Sequence, residues 1–264
     1  MPEAARSAAF FDLDKTIIAT SSSAAFSRPL LNEGMLTRSS ALRTAYAQFL
    51  FQIGGADERQ TNRLRDALSE LIRGWDQARL REVVEETVHE HIDPVVYDEA
   101  LELIRLHHEN GRDVIIVSAS AYEVVKPIAD ILGADGVIAT RMEVEDGLFT
   151  GEISFYAYGE NKASAVREMA EERGYDLARS FAYSDSLTDT PLLNAVGHGY
   201  AINPDRALRR AAADNGWGQL RFTKPVALRS GTSPVRLAVA VVLVVGVAAT
   251  VWLVARSVRT RTIA

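Results

Sequence analysis

Three short stretches of this sequence end an apolar run in a reactive side chain. In "AAFFDLDKT", residues 8–16, the run closes on Asp12, with Asp14 and Thr16 following at alternate positions. In "DVIIVSAS", residues 113–120, a β-branched run closes on Ser118, Ala119 and Ser120. In "SFAYSDS", residues 180–186, it closes on Asp185, with Thr188 and Asp189 just beyond, and Lys162 follows "YGEN". Each group alone has an ordinary reading: a solvated turn for the aspartates, a helix cap for Ser118, a surface lysine for Lys162. Together they form a set suited to phosphoryl transfer. A carboxylate can attack phosphorus and form an acyl phosphate. A divalent cation held by oxygen ligands offsets the repulsion between that nucleophile and an anionic substrate. A lysine and hydroxyls then hold the charge on the transferred group.

For these residues to meet, the runs must be neighbouring strands of one sheet. The chain alternates strands with helical stretches at about 94–110, 121–132, 162–174 and 205–215, and "GYAIN" (199–203) reads as a further strand. Such alternation predicts an α/β fold with a parallel sheet covered on both faces. In open sheets of that kind ligands bind outside the carboxyl ends of the strands, where these side chains lie. "EVEDGLFTGEIS" (143–154), with Asp146–Gly147 between alternating residues, reads as a hairpin. Residues 20 to 93 show a helical pattern without a clear strand, so they form an insertion after the first strand, over that strand's carboxyl end. His89, His91, His107 and His108 fall in charged helical stretches and read as solvated.

The 264 residues fit one large domain, or one domain with an insertion. A formal net charge of -6 and the lack of a basic helix argue against nucleic acid as a partner. With no cysteine, disulfides and thiolate metal sites are excluded. The last 35 residues carry Arg236, Arg256, Arg259 and Arg261 and no acid, so the remainder is more acidic than the chain as a whole. Residues 237–255 run without a charge and would span roughly 28 Å as a helix, about a bilayer core. They predict a single-pass C-terminal anchor in the cell membrane, in contact with membrane lipids. The N-terminus shows no secretory pattern, which predicts a cytoplasmic catalytic domain. The boundaries expected are a core at 1–20 and 94–222, a helical insertion at 21–93, a linker at 223–234, a transmembrane helix at 235–256 and a basic tail at 257–264.

"DLDKT", "VSAS", Lys162 and "YSDSLTD" resemble, in order, the four motifs of the haloacid dehalogenase-like (HAD) phosphatases. The likeness is nearest to subfamily IB, the phosphoserine-phosphatase-like branch, and covers residues 8 to about 222. It implies a Rossmann-like parallel sheet core with a helical cap inserted after the first strand, and Mg2+ as cofactor. It implies that Asp12 is the nucleophile and Asp14 the general acid/base. Ser118 and Lys162 would hold the phosphoryl group, with Thr16, Ala119 and Thr188 also against the substrate. Asp12, Asp14 (through its carbonyl), Asp185 and Asp189 would form the metal site, Asp189 acting through water or by orienting Lys162. The expected activity is magnesium-dependent hydrolysis of a phosphomonoester, either a small molecule or a lipid phosphate. A phosphate-binding protein without turnover, and phosphotransfer to an acceptor other than water, are the alternatives. Departures bear on the substrate. Phosphoserine phosphatases of the branch carry a glutamate where this chain has Ser21, a Gly-Gly pair where it has Ala119–Ser120, and Asn where it has Thr188. "YSDS" with the following "PLL" is similar to a branch that acts on phosphatidylglycerophosphate.

Overall fold

A computed structural model describes residues 6–37, 69–223 and 225. The buried run Ala8–Phe11 forms β1, and its position is set by what flanks it. It pairs in parallel with β2 (Asp113–Ala121) on one side, Phe10 opposite Ile115, and with β5 (Phe181–Ser184) on the other, Phe10 opposite Ala182. The three apolar runs that end in reactive residues are therefore adjacent strands. Around them lie β3 (Gly136–Glu145), β4 (Leu148–Phe155), β6 (His198–Ile202) and β7 (Gly218–Leu220), in the order β4-β3-β2-β1-β5-β6-β7. All neighbours are parallel except β3 and β4.

Strands buried on both faces need helices on both. Against one face pack α6 (Glu160–Arg173), α7 (Thr190–Asn194) and α8 (Arg206–Asn215). Val166, Ala170, Leu192, Leu193, Leu208 and Ala212 there meet Phe10, Ile115 and Val117 in one apolar cluster. The other face carries stacked aromatic rings: Phe11 on Tyr183 at 4.3 Å between centroids, and Tyr183 on Tyr200 at 5.1 Å. Helix α4 (Asp98–Glu109) covers this layer with Ala100, Ile104 and His107, its buried residues.

His107 differs from the solvated reading. It is 2% exposed, with Nε2 2.9 Å from the Tyr183 hydroxyl, and Nδ1 accepts a 2.7 Å hydrogen bond from Arg112 Nε. Because arginine can only donate, the neutral ring carries its proton on Nε2. Burial foremost, with the Arg112 charge adding to it, pushes the imidazole down to about 4.

The described residues of the insertion include the helices α1 (Ser22–Ala25), α2 (Ser27–Asn32) and α3 (Gln77–His91). Where the chain returns, Gly74 N–H donates to Phe149 O, Phe149 N–H to Trp75 O, and Gln77 N–H to Gly147 O, at 2.8 to 3.0 Å. The partner in all three is the β3–β4 hairpin, whose turn has positive φ at Asp146 (50°) and Gly147 (82°), as a two-residue I′ turn requires. α5 (Tyr122–Ile131) follows β2 and packs against α3.

Several boundaries move. The helical stretch expected from 94 breaks into a 3-10 turn at Asp93–Val95 and α4, because Val96 and Tyr97 are extended. β3 begins at Gly136, well before the expected hairpin, and runs beside β2 before crossing into that hairpin. The membrane location is corrected: among the described residues no helix is long and apolar enough to cross a membrane. The 235–256 helix, the 257–264 tail and most of the 223–234 linker lie outside the described residues.

The depressed histidine makes stability depend on pH with a definite sign. Between about pH 6.5 and 4 the unfolded chain binds a proton on His107 that the folded chain does not, so acid destabilises the fold there. Urea denaturation across that window should show wild type losing up to about 1.4 kcal/mol per pH unit more than His107→Gln. Parallel pH curves for the two proteins would refute this.

Candidate active site

The chain leaves β1 at Asp12, whose N–H donates to Tyr183 O at 2.9 Å, and turns at once. Ile17 N–H and Ile18 N–H both return to Leu13 O, and Lys15 takes a left-handed φ of 59°, unusual for a residue with a side chain. This tight turn keeps Asp12, Asp14 and Thr16 at the sheet's carboxyl edge. Thr16, fully buried, ties the turn to the neighbouring strand end. Its Oγ1 lies 3.2 Å from Asp12 Oδ2 and 3.5 Å from Asp185 Oδ1, and accepts a 3.0 Å hydrogen bond from Asp185 N–H.

Lys162 enters from the first turn of α6 and is 3% exposed. Its Nζ donates to Asp12 Oδ1 at 2.7 Å and to Asp189 Oδ2 at 2.8 Å. Asp189, 2% exposed, also accepts from Ser184 Oγ at 2.7 Å. Burial pulls the Lys162 ammonium down, but Asp12 and Asp189 more than offset that and keep it charged. Burial pushes the Asp12 carboxyl up to about 8; Lys162 lowers it, while Asp189 and Asp185 raise it. Asp185 is pushed up to about 6, again by burial first, with Lys15 opposing and Asp189 adding.

Asp14 sits to one side. Its Oδ1 accepts from Ser22 N–H at 2.8 Å and its Oδ2 from Ser120 Oγ at 3.3 Å. Burial raises its carboxyl above the usual range against those hydrogen bonds. Ser118 is buried at the end of β2, its hydroxyl accepting from Ser120 N–H at 3.2 Å. Ala119 directs its carbonyl to Thr140 Oγ1, 2.7 Å away. Thr188 pairs with Ser186, the hydroxyls 2.8 Å apart, at the start of the short turn Leu187–Asp189. The sequence reading did not assign Ser22, Ser120 or Ser184 to the site. Ser22 is one of three consecutive serines, and no periodicity separates it from its neighbours.

The donor set suits a hard divalent cation. Asp12 and Asp185 present carboxylate oxygens on either side of the Thr16 hydroxyl, and both carboxyls are raised first by burial, with Asp189 adding to each. Among the described residues no group of three or more His, Cys, Asp or Glu could hold a metal unaided. A cation here would complete its shell from carbonyl, phosphate or water oxygens, as Mg2+ commonly does.

The sequence profile of the haloacid dehalogenase-like hydrolases matches residues 9–194. This chain belongs to that family. It is 55% identical over 92% of its length to the inhibition of morphological differentiation protein of Streptomyces azureus, covering 90% of that protein. A probable phosphatase of Mycobacterium tuberculosis is 52% identical over 93% of this chain and 86% of its own. A phosphoserine phosphatase of the same organism is 38% identical over 80% of this chain and 69% of its own. The chain is thus a HAD-family phosphatase, a phosphoric monoester hydrolase.

Removing the Lys162 charge leaves two buried carboxylates without their shared partner. Lys162→Met should cost about 3–5 kcal/mol of stability at neutral pH, measured by urea denaturation. A change below 1 kcal/mol would mean that the ammonium does not compensate them.

Proposed function

We propose that the chain hydrolyses small phosphomonoesters in two steps, with Asp12 as nucleophile and Mg2+ as the metal. The observation that carries this reading is the pinning of Asp12 from both sides, Oδ1 by Lys162 and Oδ2 by Thr16, at the carboxyl end of β1. A buried carboxylate so restrained is pre-oriented for attack.

In the first step an Asp12 oxygen forms a bond to phosphorus as the bond from phosphorus to the ester oxygen breaks. Asp14, whose carboxyl burial raises, gives its proton to the departing alkoxide, and the alcohol leaves. In the second step water attacks the phosphorus of the aspartyl phosphate. Asp14 takes the water's proton, inorganic phosphate departs, and Asp12 is regenerated. Ser118 and Lys162 are the groups we assign to the phosphoryl oxygens, with Asp189 orienting Lys162 through their 2.8 Å contact. Asp12, Asp185 and the Asp14 carbonyl are the groups we assign to Mg2+, which when bound would neutralise charge on the phosphoryl oxygens.

Free phosphoserine is the second reading, favoured by the name of one M. tuberculosis relative. Against it stands Ser21, at the position where the branch uses a glutamate for the substrate amine. Here that side chain caps α1, accepting from Ala24 N–H at 3.3 Å, and offers no carboxylate. A lipid phosphate has no supporting observation among the described residues.

Full-length protein should release phosphate from an aryl phosphate with Mg2+, stop with a chelator, and recover on adding Mg2+ back. Asp12→Asn should lower kcat by roughly three orders of magnitude or more, since an amide is a poor nucleophile. Turnover by that variant at the wild-type rate would exclude the aspartyl-phosphate route.

A further inference from the structure

Asp14 must hold one oxygen where a leaving group and then a water can reach it, and the structure shows how that oxygen is chosen. Oδ1 is occupied by a main-chain donor, Ser22 N–H at 2.8 Å. Oδ2 meets a hydroxyl, Ser120 Oγ at 3.3 Å. That hydroxyl is itself held, 2.8 Å from Ser22 Oγ, and Ser22 is fully buried. Ser22 and Ser120 thus close a small ring of hydrogen bonds around Asp14, made from the first residue of α1 and the end of β2.

The chemistry of the two partners differs. An N–H can only donate, so the oxygen it holds favours the ionised form. A hydroxyl donates or accepts, so its contact with Oδ2 survives whether or not that oxygen carries the proton. We propose that Ser120, backed by the Ser22 hydroxyl, is a positioning residue for acid/base transfer: it fixes the Asp14 carboxyl plane and leaves Oδ2 as the oxygen that gives and takes the proton. The inference rests on the two-step reading above and adds to it residues that sequence reasoning passed over. Ser120 also donates its N–H to Ser118 Oγ at 3.2 Å, so one residue touches both the acid/base and the hydroxyl assigned to phosphate. Replacing only its side chain leaves that second contact in place.

Leaving-group dependence separates positioning from general damage. A nitrophenolate departs without much help from an acid, whereas an alkoxide needs the proton. Full-length protein with Mg2+ is assayed on p-nitrophenyl phosphate and on a simple alkyl phosphate, reading kcat/KM, which reports the first step. Ser120→Ala should lower kcat/KM about 10- to 100-fold on the alkyl ester and about threefold or less on the aryl ester. Ser22→Ala should move both in the same direction by less, and Ser120→Thr should restore most of the alkyl activity. Equal losses on both esters, or no loss on either, would overturn the inference. So would Ser120→Thr behaving like Ser120→Ala while its thermal midpoint stays at the wild-type value. Those results leave Asp12 dependence intact, whereas full turnover in Asp12→Asn, or none by wild type on either ester, removes the two-step reading and this inference with it.

Discussion

One buried ammonium organises the reactive edge of this protein. Lys162 comes from α6, yet its two partners belong to different parts of the sheet: Asp12 closes β1, and Asp189 follows β5. Three residues that are each 6% exposed or less share two short ion pairs. A buried charge network of this kind is not the arrangement that stability alone would select, since well-packed apolar groups often do as well. Its retention makes sense if the charges are needed in place. With Lys162 fixed, an Asp12 oxygen is fixed, so the elements that bear Asp12, Lys162 and Asp189 must meet at one edge.

That requirement explains the strand order. A parallel sheet brings its carboxyl ends to one edge, and β1 at the centre places Asp12 between β2, which carries Ser118 and Ser120, and β5, which leads to Asp185. The aromatic stack of Phe11, Tyr183 and Tyr200 beneath this edge keeps β1, β5 and β6 in register from below. Thr16 joins the first and last motifs from above.

Much of this arrangement was legible in the sequence, because apolar runs ending in charge have few structural explanations. Asp12, Thr16, Lys162, Asp185 and Asp189 lie within one set of hydrogen bonds and ion pairs, while Thr188 is taken up by its own turn. Other features left little trace. The Gly136–Thr140 part of β3 was hidden by the stronger hairpin signal just after it, and β7 is three residues with no pattern to read. His107 looked solvated because of its charged neighbours, although it stands three residues after Ile104 and seven after Ala100, on the helix's buried stripe. The apolar stretch at 237–255, whose composition suggested an anchor, lies outside the described residues. Ser22 could not be picked out at all and Ser120 had a place at its strand end but no role, since a serine's role depends on what its hydroxyl meets in space.

The main-chain bonds between residues 74–77 and the β3–β4 hairpin carry a mechanical consequence. They make the insertion's return point an extra rung on the edge of the sheet, so α3 cannot swing as a free arm. Any displacement of α3 has to bend the hairpin with it, and the hairpin continues into β3, which lies beside Ser118. Ser22 couples the insertion's other end to Asp14. The described ends of the insertion are therefore tied, one to the β3–β4 hairpin and the other to Asp14, so strain applied to α3 reaches the sheet through the hairpin.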